Sequence, residues 1–137
     1  MKTYLRLIGI LALVLALAVS CTKQNDTYED TLWCGSYPAQ TLNGTTGELE
    51  DQTAVILLQF SGGGQTCSVF HGYVGLLGMS HVRYDVNWSS EASFSLSRSA
   101  GGQTIISYSG TIGGNTMSLE AYNCDGIADT FVLKRSN

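Results

Sequence analysis

An all-β fold is what this sequence predicts: eight antiparallel strands in an up-and-down meander that closes into a small barrel. Three observations carry that prediction. Apolar and polar residues alternate in run after run, the mark of strands with one buried face. Short Gly-, Ser- and Asn-rich turn signals separate the runs. No window beyond residue 30 repeats its apolar residues with the 3.6 period of an amphipathic helix.

The elements follow in order. "TLWCGSY" (residues 31–37) reads as the first strand, and residues 38–52, with Pro38, "NGTTG" and the acids Glu48, Glu50 and Asp51, as a long loop. "TAVILLQF" is the second strand, closed by a "SGGG" turn at 61–64, and "QTCSVFHGYV" is the third, ended by "GLLG". The fourth, "SHVRYDVNW", alternates without a break, with Val82, Tyr84, Val86 and Trp88 on one face. "SSE" leads into "ASFSLSRS", with Phe94 and Leu96 inward, and "AGG" into "QTIISYSGTI". "GGN" is a tight hairpin before "TMSLEAY", with Met117 and Leu119 inward. "NCDG" precedes the last strand, "IADTFVLKR", with Phe131 and Leu133 inward. Links this short join antiparallel neighbours, because parallel ones need long crossovers.

An open eight-stranded meander exposes two edges, and closure removes both. At eight strands a barrel interior is filled by side chains or holds one small ligand. A two-sheet β-sandwich is the alternative architecture. The tail "YSGTIGGNTMSLEAYNCDGIADTFVLKR" (residues 108–135) and the opening "LWCG" resemble the closing hairpins and first strand of lipocalin-like (calycin-like) lipoprotein domains of the Bacteroidetes. The resemblance spans most of residues 31–135 and implies a small barrel. It brings no assigned activity.

The first twenty residues have the zones of an export signal. Lys2 and Arg6 charge the start, "LIGILALVLALA" is an apolar run, and small residues lead to Cys21. The run of twelve is too short for a membrane span, which needs about 20 apolar residues. "AVSC" resembles the lipobox of bacterial lipoproteins, which implies acylation of Cys21 as the new N-terminus. Acyl chains would anchor the protein, since each buried CH₂ contributes about 0.8 kcal/mol. Residues 1–20 are then a lipoprotein signal peptide. Residues 21–30 are the lipidated Cys and a polar tether too poor in apolar side chains to fold, and residues 31–137 are the barrel domain. The expected address is the bacterial cell envelope, as an outer-membrane lipoprotein facing the periplasm or the surface.

Loss of the leader removes two of the seven basic residues, taking the formal charge from −4 to −6. That charge argues against a nucleic-acid partner, which calls for basic patches. The chemistry-bearing residues form no enzyme signature. His71 and His81 have no carboxylate at metal-ligand spacing, no serine stands in a G-x-S-x-G elbow, and the glycine clusters match no phosphate-binding loop. No enzyme, metal or cofactor is expected. Export puts Cys34, Cys67 and Cys124 where disulfides form. Three thiols predict one bridge and one free thiol. Closure of the first strand on the eighth favours Cys34–Cys124, with Cys67 as competitor for either.

Two function classes remain. One is an accessory or structural surface domain with a largely filled barrel. The other is a binding module for a small apolar or amphipathic ligand, or a glycan, lined by Trp33, Tyr84, Trp88 and Tyr108. Tyr84, Trp88 and Tyr108 are expected near one rim, where aromatic faces with polar handles suit an amphipathic ligand.

Overall fold

A computed structural model describes residues 25–75 and 78–137. The apolar run, the lipobox-like stretch and Cys21, on which the expected signal peptide and acylation rest, lie outside these residues. A single 3-10 turn (Asp26–Tyr28) precedes strands β1 (Leu32–Leu42), β2 (Leu49–Ser61), β3 (Thr66–Tyr73), β4 (Met79–Trp88), β5 (Ser93–Ala100), β6 (Gln103–Gly113), β7 (Thr116–Asn123) and β8 (Gly126–Arg135). Each strand pairs antiparallel with the next, and β1 meets β8, so the sheet is a closed barrel. The predicted meander is the observed architecture.

Closure is uneven. β1 and β2 share eleven residue pairs. β1 and β8 share only Trp33↔Arg135 and Cys34↔Lys134, and β4 and β5 only the four pairs from Asp85↔Ser97 to Trp88↔Phe94. Both short ladders lie at the end where β1 begins and β8 finishes. Towards the other end these two seams lack ladder pairs, leaving a leaf of β1–β4 and a leaf of β5–β8. The barrel therefore has a closed end and an open end. Bulges at Leu96/Ser97 and Ala121/Tyr122 fall in the second leaf, where they sharpen its twist.

The core fills the closed end. Trp33, Leu58, Phe60, Cys67 and Leu96 are fully buried there. Rings of Phe60, Trp88 and Phe94 meet pairwise at 5.2–5.6 Å, within the range of favourable aromatic contacts. Phe94 faces Gly110 across the β5–β6 ladder. A Cβ on Gly110 would lie 2.3 Å from the ring, so only glycine leaves Phe94 its place. Every described buried side-chain nitrogen and oxygen has a hydrogen-bond partner.

Three sequence expectations are corrected. β1 continues through Leu42, and β2 starts at Leu49, so residues 38–52 form most of a long hairpin rather than a loop. Asn43 N–H donates to the Glu48 carbonyl. Counting back through the alternating ladder, Pro38 opposite Thr53 turns its nitrogen away from β2. It faces the seam, where β1 has no ladder pair with β8 beyond Cys34, so the missing N–H forfeits no bond.

The polar stretch before the barrel is likewise folded from Asn25 on. Asn25 N–H donates to Gly63 O and Asp30 N–H to Phe60 O. The Tyr28 ring stacks on Trp88 at 5.4 Å and 14°. Gly64, at φ 75°, lets this segment approach: a Cβ there would stand 2.2 Å from the Asn25 carbonyl oxygen. One tyrosine supplies the apolar surface that an absence of aliphatic residues seemed to deny.

The expected disulfide is not formed: Cys34, Cys67 and Cys124 are all free. Antiparallel closure sets Cys34 beside Lys134, at the finish of β8. Cys124 precedes the start of that strand, roughly 30 Å away at 3.3 Å per residue, whereas a bridge needs Cα atoms within about 7 Å. Cys67 is buried inside the barrel. Cys34, next to inward Trp33 along the same strand, points to the outer face.

Candidate functional site

Alternation from the buried floor decides which side chains line the open end. On β1, Trp33 is inward, so Tyr37 is inward too; on β3, Cys67 and Val69 carry the face to His71 and Tyr73. Ala54 between them is fully buried, its register placing Tyr37 on one side and Tyr73 on the other. The small side chain leaves room for both rings. Tyr37 and His71 share a hydrogen bond between the phenol oxygen and Nε2. Their rings stack at 5.7 Å, and Tyr37 also meets Phe131 at 4.7 Å. Across the mouth, Tyr108 of β6 packs edge-on against Tyr84 of β4 at 5.6 Å.

These phenols are poor acids. Partial burial raises the Tyr37 hydroxyl pKa, with Tyr73 and the carboxylate of Asp129 adding to the effect. Burial raises Tyr108 likewise, helped by Tyr84 and Tyr37. Both are neutral donors at physiological pH, half-buried over a packed floor. Such a surface can stack a planar or ring-bearing group and offer it hydroxyls.

Tyr84, Trp88 and Tyr108, expected near one rim, do not share it, and Trp33, the fourth candidate lining residue, lies in the floor. Trp33 is fully buried at the closed end, its indole N–H on Thr31 Oγ1 at 3.0 Å. Trp88 lies there as well, its indole donating to Gly64 O at 2.8 Å. β4 runs from the open end to Trp88, which sets Trp88 about 13 Å along the strand from Tyr84. Tyr84 and Tyr108 do pair, towards the open end. Trp88 instead helps to line a groove of about 480 Å³ on the closed end, with Tyr28, Asn25 and Glu91. Tyr37, Tyr73 and Asp129 were absent from the candidates. Period-two counting from Trp33, Cys67 and Phe131 would have put all three on the inner face.

His71 and His81 face opposite sides of the sheet. His71 is inward, while His81 stacks on Phe70 at 4.4 Å and 6° on the outer surface. Among the described residues, no three His, Cys, Asp or Glu side chains are grouped to hold a metal ion.

No family model, curated protein or solved structure matches this chain.

Proposed function

We propose that the protein is an exported, lipid-anchored component of a bacterial cell envelope. Its barrel is an accessory domain with a filled floor, held closed end towards the membrane. The observation supporting this reading is the join between leader and barrel. Cys21 follows the charged start, the apolar run and "AVSC". The fold begins four residues later, where Asn25 bonds to Gly63 and its side-chain amide to the Glu91 carbonyl. Four residues span at most about 14 Å, so an acylated Cys21 holds the closed end near the lipid headgroups. Mass spectrometry of membrane-extracted protein is expected to find a di- or triacylated N-terminal cysteine. A Cys21→Ser protein that remains equally membrane-bound, with the wild-type N-terminus unmodified, overturns the anchor.

A second reading, a binding module for a small amphipathic ligand or a glycan, is favoured by the half-buried Tyr37, Tyr73 and Tyr108 above the floor. It expects one member of a panel of lipids, sugars and aromatic metabolites to raise the melting temperature. Tyr108→Ala is expected to abolish that rise.

A further inference from the structure

The two ends of the barrel differ in what their turns expose. At the closed end the turns after β2, β4 and β6 are built from Gly, Ser, Asn, Gln, Glu and Ala. At the open end each hairpin carries exposed aliphatic side chains: Leu42 and Leu49, Met79, Ile105 and Ile106, and Ile127, all 44–67% exposed. Seven of the eight large apolar side chains exposed among the described residues are at this end, Val132 being the exception. Single exposed aliphatics are ordinary, but their collection on one end marks an interaction surface. Ile106 also borders an outer groove of about 340 Å³ with Ser95, Ser109 and Tyr122.

The same end is acidic. Glu48, Glu50, Asp51, Asp125 and Asp129 lie on its hairpins, and Arg98 is the one Lys or Arg among the described residues there, with His71 and His81 near by. Asn43 donates to Glu50 and Gln40 to Asp51. Both donors are neutral, so the carboxylate charges stand uncompensated.

We infer that the open end is the docking site of a polypeptide segment that combines apolar side chains with Lys or Arg. Charge complementarity selects this occupant. Two copies meeting end to end would press carboxylates on carboxylates, and an anionic bilayer would be repelled in the same way. In the anchored orientation this end also points away from the membrane; that clause rests on the anchor, whereas the charge and exposure do not.

The test uses the full mature protein in discs of neutral phosphatidylcholine, with empty discs as reference. The probe is a twelve-residue peptide alternating Lys with Leu, compared with its Glu-for-Lys counterpart. The Lys peptide is expected to bind saturably and to weaken with added salt. Leu42→Ser/Ile106→Ser and Glu48→Gln/Asp129→Asn are each expected to weaken it about tenfold, or about 1.4 kcal/mol. The Glu peptide is expected not to bind. Equal binding of the two peptides, binding of neither, unchanged binding by both double variants, or a dimer dissolved by Leu42→Ser each overturns the proposal. If Cys21 proves unacylated, the protein stays out of the discs. That failure belongs to the anchor alone, and the same titration in solution reads the docking site.

Discussion

Gly110 and Cys67 both face the interior, and each converts a lack of space into a measurable property. Adding one methyl at Gly110 forces the Phe94 ring out of the aromatic cluster. Overpacking of this kind costs about 1–3 kcal/mol, so Gly110→Ala is expected to lower the urea midpoint by a corresponding amount without changing the slope. Cys67 is fully buried, and burial pushes its thiol pKa up. A thiol reacts as its thiolate, so Cys67 is expected to resist a maleimide until the protein unfolds. Exposed Cys124 labels first and half-exposed Cys34 after it. Denatured protein is expected to show three reactive thiols outside Cys21. Fewer would mean that a bridge forms after all.

At the scale of elements, the segment around Tyr28 acts as a plug. Its ring touches Trp33 and Phe60 at 6.4 Å and stacks on Trp88. Tyr28→Ala is expected to destabilise the barrel by about 1–3 kcal/mol through lost burial and stacking, measured by urea unfolding. It would also bare Trp88, shifting tryptophan emission to the red. Six of the eight strands lie within two residues of where alternation and turn residues put them, because a period of two survives wherever one face is buried. β1 and β2 extend beyond the strands that alternation predicts because Thr, Gln and Glu on an overhanging hairpin have no buried face to mark the period. All twelve side chains read as inward, Trp33 through Leu133, belong to the core or pack on it. β2 and β3 supplied more of that core than expected, through Ile56, Leu58, Phe60 and Cys67. The seams could not be read, since a sequence fixes which strands neighbour one another and not how far along they stay paired. That is why Trp88 was set beside Tyr84 at one rim instead of at the far end.

For the whole molecule, alkaline pH is the weak flank. The folded state raises the pKa values of Cys67, Tyr37 and Tyr108 above their ordinary values, 9.0 for the thiol and 10.0 for the phenols. Unfolding frees all three to ionise, so the unfolded chain binds fewer protons than the native one above those values. Stability falls with rising pH whenever that is so. It is therefore expected to be fully present below about pH 9 and to decline from there upward. Cys67→Ala should flatten the earliest part of the decline, as followed by urea midpoints across the pH series.

The start of β1 and the last residue lie beside each other at the closed end, where the Asn137 side chain accepts from Leu32 N–H and donates to the Asp30 carbonyl. Once the segment before β1 has let go of Gly63, Glu91 and Phe60, a load drawing those ends apart would act across the β1–β8 ladder and open its pairs in succession, as a zipper opens, rather than shearing all of them together. Only two pairs and a few flanking bonds, such as Ser136 N–H to Leu32 O, stand in series there. The domain is thus a closed barrel in its topology and, mechanically, a ribbon with a weak clasp: traction on the C-terminus against a held N-terminal segment would unfasten it at this seam first.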